Sequence, residues 1–333
     1  MNALGDKVLQ KKRQLFHSFP RPRSGEDPAD TLSRGLAILE FMKEAGLVLA
    51  PEIVEWDLSV LLRKQEHVRV LQRRACFTEL SLEELPNHAS VFGPISLSFD
   101  IDKLRASGAT PVIYIPQGQG ESILSHLGAF CVYCTNATHY VLRQLQQLKE
   151  LSDPKIVEAR ENKPVDPNYT LNLINTGPDA SVVAEYIVPA QHARNLLAYV
   201  GFNNIPFDHS AAVLRVFLSM FYPTDNLHAA DTLGYYRQRE WRVISTDIAF
   251  NNHPATRALT RTEQERLLSI DREFWSRELT HENALLPRHA FAQIYSPLPA
   301  WSVFDLVDAI IAPENYHEKV RSIVGSAIKI LPL

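Results

Sequence analysis

Apolar and polar positions alternate over Gln14-Leu15-Phe16-His17-Ser18-Phe19, which predicts a strand, and Pro20-Arg21-Pro22-Arg23-Ser24-Gly25 ends it. The period then changes. Leu32, Leu36, Leu39, Phe41 and Met42 follow helical spacing after Asp30, the expected capping residue, and Gly46 is the expected stop. Short extended pieces are predicted at Leu47–Leu49 and Ala75–Leu80, and a helix start at Ser81-Leu82-Glu83-Glu84. Ile95-Ser96-Leu97-Ser98-Phe99 alternates cleanly and puts Ser96 and Ser98 on one strand face. Asp102–Ser107 reads as a short helix closed by Gly108, and Pro111–Pro116 as a strand bounded by prolines.

The second half is less regular. Residues 121–151 have helical spacing, and 152–168 is polar and broken by prolines. Strands are expected at Thr170–Ile174 and Ala184–Val188, a helix at Ala190–Val200, and a buried helix at Ala211–Phe221. Residues 235–246 form an expected strand and Glu263–Arg277 a charged helix. Phe304–Ile311 precedes Ala312-Pro313-Glu314, and a last helix covers about 316–328.

The bulk numbers change this picture little. A chain of 333 residues with 45% hydrophobic and 22% charged residues suits a globular protein with an ample core. A net charge of −4 argues against nucleic-acid binding over the whole surface but leaves room for a basic patch. The start has no apolar leader, there is no membrane-length apolar run, and the three cysteines form no disulfide framework, so a cytoplasmic protein without membrane contact is expected. Cys131-Val132-Tyr133-Cys134 has the spacing of half a zinc site, but only Cys76 remains to complete it, so no metal is expected. Arg69, Arg73 and Arg74 read as a solvated helix face.

Tyr235-Tyr236-Arg237-Gln238-Arg239-Glu240-Trp241-Arg242-Val243-Ile244 carries the most chemistry. A strand here puts Gln238, Glu240 and Arg242 on one face, suited to lining a site rather than a core. Glu240 is either a catalytic carboxylate or an ion-pair partner of Arg237, Arg239 or Arg242. As a fixed carboxylate in a dry site it would stabilise an oxocarbenium-like centre, with Gln238 orienting the nucleophile and Arg242 beside it.

Phe16-His17-Ser18, the following helix and Gly46-Leu47-Val48-Leu49-Ala50-Pro51-Glu52 resemble the start of the AbiGi-type abortive phage-resistance family. So do Cys76-Phe77-Thr78-Glu79-Leu80, Phe92–Phe99 with Gly108–Tyr114, and Arg239-Glu240-Trp241-Arg242. The resemblance covers about 14–116 and 232–325. That family is similar in turn to the ADP-ribosyltransferase fold, which implies an α+β protein with a split mixed or antiparallel sheet and packed helices. The core halves would be 1–116 and 232–333, around a largely helical insertion at 117–231. The resemblance implies NAD as substrate, catalytic Glu240 and Gln238, and binding roles for His17, Ser18, Phe77, Thr78, Ser96, Ser98 and Arg242. It implies an anti-phage enzyme that cleaves an N-glycosidic bond, with phage nucleic acid or a protein as acceptor. Base excision from phage DNA is chemically close. A non-catalytic antitoxin with a toxin partner is the alternative of a different class.

Overall fold

The structure, a computed structural model, describes residues 14–59, 67–116, 123–152, 168–174, 181–199, 218–224, 239–245, 249–250, 253–281, 284–296 and 302–333. The chain divides into two compact units, Met1–Val132 with Val216–Leu333, and Tyr133–Arg215.

The first unit is α+β, built on a mixed sheet. Its path runs β13 (Thr256–Ala258), β16 (Gln293–Tyr295), β2 (Leu47–Asp57), β3 (His67–Leu80), β1 (Gln14–Phe19), β4 (Ile95–Phe99), β17 (Val307–Ala312) and β18 (Lys329–Pro332). β10 (Glu240–Ile244) also pairs with β3, and β5 (Thr110–Pro111) pairs with β10. All these pairings are antiparallel except β17 with β18. A separate parallel pair joins β6 (Ile113–Pro116) to β9 (Phe221–Thr224). Two small hairpins are β11 (Ala249–Phe250) with β12 (His253–Pro254), and β14 (Glu278–His281) with β15 (Ala284–Pro287).

β3 holds the sheet together, and its hydrogen-bond alternation shows how. Ser245 N–H donates to Arg73 O and Glu79 N–H donates to Arg239 O, so the odd residues of β3 face β10. Arg74, Cys76 and Thr78 therefore turn their backbone groups to the opposite edge. There Arg74 meets Ala50 of β2 and Thr78 meets Phe16 of β1. Cys76 falls between them, where β2 and β1 part. The His17 side chain fills that gap: Nδ1 donates to Cys76 O at 2.7 Å. The sheet splits, and an imidazole replaces the missing strand contact.

One face of the sheet carries the main core. Leu15, Phe19, Phe77, Leu97, Phe99 and Ile310 pack there with Leu39 and Met42 of α1 (Pro28–Ala45) and Val320 of α9 (His317–Val324). α1 is capped by Asp27, not by Asp30. The Asp27 carboxylate accepts from Ala29 N–H, and Pro28 follows at a position that needs no donor. Gly46, at φ +109°, ends the helix as expected.

α2 (Leu85–Phe92) covers part of the other face, with Leu85 against Phe16, Leu80, Ala309 and Ile311. Gly93 has φ +134°, and a Cβ there would lie 2.3 Å from the Phe19 carbonyl carbon, so α2 ends hard against the exit of β1. α3 (Ile101–Ala106) is the expected short helix. The expected helix over Glu263–Arg277 is two helices, α6 (Arg261–Ile270) and α7 (Arg272–Trp275). Asp271 breaks it, because its backbone leaves helical geometry while its carboxylate caps Phe274 and receives Arg34.

Three expectations are corrected. Arg69, Arg73 and Arg74 lie on β3, not on a helix, and Arg74 is buried. Phe221, expected to end a buried helix, opens β9, while residues 211–217 of that expectation lie outside the described residues. The strand expected over 235–246 runs from Glu240 to Ile244, with Arg239 (φ +45°) and Ser245 outside it, and residues 235–238 and 246 of that expectation lie outside the described residues.

In the second unit the described elements are the end of α4 (Ile123–Ser152), the hairpin of β7 (Asn168–Ile174) and β8 (Val182–Pro189), and α5 (Ala190–Tyr199). Cys131 and Cys134 lie on α4. No helix among the described residues is long and apolar enough to cross a membrane.

Candidate functional site

The face of the sheet opposite the main core holds a pocket of about 500 Å³. It arises where β10, β3 and β2 run side by side and the β6–β9 pair brings in two tyrosines. Glu240 and Arg242 alternate onto this face and lie opposite Thr78 and Cys76. Arg74 follows two residues earlier on β3, and Glu52 comes from β2. Tyr114 and Tyr222 are register partners in the β6–β9 pair. α8 (Arg288–Phe291) supplies Arg288, α2 supplies His88 and Phe92, and the segment after β1 supplies Arg21.

Two ion pairs flank Tyr222. Arg242 Nε donates to Glu240 Oε1 at 2.8 Å and Nη2 to Oε2 at 3.3 Å, a two-pronged grip. Tyr114 OH adds a bond to Glu240 Oε2 at 2.6 Å. On the other side Arg74 donates to Glu52 and to Gln72 Oε1, and Tyr222 OH reaches Glu52 Oε1 at 3.2 Å. The Arg242 and Arg74 guanidinium carbons lie 4.4 Å and 4.8 Å from the centre of the Tyr222 ring. Arg242 is only 2% exposed, and its Nη1 has no acceptor among the described residues.

Protonation follows from these contacts. Burial works to raise the Glu240 carboxyl, but Arg242, Tyr114 and Cys76 outweigh it and hold it below the usual range. Burial, then the Glu240 charge, pushes the Cys76 thiol up to about 11, so at neutral pH it is a thiol rather than a nucleophilic thiolate. Burial followed by the same carboxylate raises Tyr114. Burial also lowers His17 and His88, which keeps both neutral at pH 7.

The sequence-expected residues fall into three groups. Glu240, Arg242, Thr78, His17 and Ser18 line the pocket. Of these, His17 is committed to the sheet split, and its ring lies 5.4 Å from those of Phe19 and Phe77, on the core side. Thr78 Oγ1 bonds His88 Nε2 at 3.1 Å. Phe77, Ser96 and Ser98 do not reach the pocket. Phe77 points into the main core, because β3 alternates Cys76 and Thr78 toward the site and Phe77 away. Ser96 and Ser98 are fully buried. Ser96 Oγ lies 2.7 Å from Ser18 Oγ, while Ser98 Oγ has no partner among the described residues. Gln238 lies outside the described residues.

Sequence reasoning missed Tyr114, Tyr222, Glu52, Arg74 and Arg288. The signal available was weak: Gln72, Arg74, Cys76 and Thr78 form a polar set at every second position, but Arg69 and Arg73 on the other face mask it.

A family model described as "Putative abortive phage resistance protein AbiGi, antitoxin" matches residues 51–267. The match crosses 117–231, which the motif resemblance did not reach, and begins after Phe16-His17-Ser18. No curated protein and no solved structure matches. The family model spans well over half of the chain and takes in Glu52, Arg74, Tyr114, Tyr222, Glu240 and Arg242, so this protein belongs to the AbiGi abortive phage-resistance family.

Proposed function

We propose that the chain is the non-catalytic antitoxin of an abortive-infection pair and neutralises a toxin partner. One observation carries the reading: the Glu240 carboxylate is spent. Both of its oxygens are held by Arg242 and one also by Tyr114. A carboxylate that must stabilise a developing cation needs an oxygen aimed at the reacting carbon, and these face protein donors. The protonated Cys76 thiol and the structurally committed His17 point the same way. The reading predicts a toxin gene beside this one, and the test is co-expression of the two. Wild-type and Glu240→Gln chains should protect equally, and purified protein should release no nicotinamide from NAD.

A second reading keeps one support. Glu240 and Thr78 lie opposite each other across β10 and β3 in a pocket large enough for part of a dinucleotide. In ADP-ribosyl transfer from NAD, Glu240 would have to exchange Arg242 for the ribose as the nicotinamide bond breaks. Nicotinamide release by the wild type that Glu240→Gln abolishes would establish this reading and sink the first. Alkali-labile sites in phage DNA without NAD would point to base excision instead.

A further inference from the structure

The pocket's charges do not balance. Four guanidinium groups line it, from Arg21, Arg74, Arg242 and Arg288, against two carboxylates, Glu52 and Glu240. Both carboxylates are taken, by Arg74 and Arg242. Arg21 and Arg288 have no carboxylate partner among the described residues. Each instead lies over an aromatic ring, Arg21 4.9 Å from the centre of Phe92 and Arg288 4.2 Å from that of Phe274. His17 and His88 also line the pocket, and burial keeps them neutral at pH 7 rather than adding to the excess.

Two donors there are unanswered. Arg288 Nε and Arg242 Nη1 are buried without an acceptor among the described residues. A buried, unpaired guanidinium N–H costs stability, because it has lost its water without gaining a partner. Burial and then the neighbouring Arg277 charge lower Arg288 from its ordinary value, against the opposing pull of Glu52, so the fold holds this cation at some cost.

We propose that the pocket binds a phosphate-bearing small molecule, held by the Arg21, Arg242 and Arg288 guanidiniums that line it. Separate guanidinium forks on different elements suit a tetrahedral oxyanion with several oxygens better than a flat carboxylate. A volume of about 500 Å³ leaves room for an organic group beyond the phosphate. The proposal does not depend on the antitoxin reading. A chain that neutralises its toxin and binds no phosphate would retain that reading and lose this one.

The experiment is calorimetric titration and thermal unfolding of the full chain at fixed ionic strength. Pyrophosphate, ribose 5-phosphate, AMP and ADP are the probes, with citrate as the carboxylate control. At least one phosphate compound should bind saturably and raise the Tm. Binding by pyrophosphate alone would mark the phosphate as the whole ligand, and a preference for AMP or ADP a nucleotide. Arg21→Ala and Arg288→Ala should each weaken binding about tenfold or more, the scale of one charge-assisted hydrogen bond. Arg288→Lys should recover part of the loss. The unliganded Arg288→Ala chain should unfold no earlier than wild type, which a purely structural arginine would not allow. Arg21 is exposed, so Arg21→Ala carries the test if Arg288→Ala does not fold. The proposal is overturned if no phosphate compound binds saturably, if citrate binds as tightly, or if the Arg21→Ala/Arg288→Ala chain binds like wild type.

Discussion

Arg34, largely buried, and Arg242, fully buried, are both arginines of the first unit, and they are satisfied differently. Every guanidinium nitrogen of Arg34 has an acceptor. Nε and Nη2 meet Glu26 at 3.1 Å and 2.6 Å, Nη1 meets Asp271 at 3.0 Å, and Nη2 also reaches Arg21 O at 3.2 Å. Arg242 answers one carboxylate and leaves Nη1 bare. The first arrangement ties α1 to the α6–α7 break and lines no described pocket. The second borders one. A fully answered guanidinium reads as structure. A partly answered one beside a cavity reads as a place where something else belongs.

The contrast can be broken at its strongest point. Arg34→Ala takes from Glu26 and Asp271 the guanidinium that joins them, leaving, among the described residues, only Arg23 in contact with both, and urea unfolding should show a loss of about 3–5 kcal/mol. A loss under about 1 kcal/mol would mean that the network is ornamental. Glu240→Gln keeps the shape and some hydrogen bonding, so its expected loss is smaller, about 1–3 kcal/mol. An equal loss at the two sites would erase the distinction.

Acid gives a gentler probe. Burial works to raise Glu26, yet Arg34 and the Arg23 and Thr31 hydrogen bonds bring it from 4.5 down to about 2. A depressed carboxyl contributes stability above its unfolded value, lost as pH falls through the folded one. Stability should therefore drop between about pH 4.5 and 2, with a shallower slope in Glu26→Gln. An unchanged slope in that variant would remove Glu26 from the account.

The smallest effect is the same contrast in hydroxyls. Ser96→Ala removes a bond to Ser18 and should cost about 1 kcal/mol, whereas Ser98→Ala removes an unpaired buried oxygen and should be neutral or slightly stabilising. The reverse order would show that Ser98 has a partner.

Local periodicity made β1, α1, β4, α3, α4 and the β7–β8 hairpin legible. It also put Glu240 and Arg242 on one face, with Arg242 among the expected partners. The lengths of β2 and β3 were not legible, because Arg69, Gln72, Arg73 and Arg74 put polar groups on both faces of β3 and erase a two-residue period. The aromatic half of the site was hidden by distance. Tyr114 and Tyr222 meet only through a parallel pairing, and no short-range pattern announces one. The strand serines misled because alternation identifies a face without saying what covers it, and here α2 does.

The split in the sheet bears on how this family can vary. Position 17 requires a side chain that reaches sideways and donates to the orphaned Cys76 carbonyl. It need not be a histidine, nor touch any substrate. Relatives whose β1 and β2 meet along β3 would close the seam with backbone and leave the position free to drift. Relatives that keep the seam would be restricted to His, Asn, Gln or Arg there. A substitution pattern of that kind would trace sheet geometry, though it would look like the signature of chemistry.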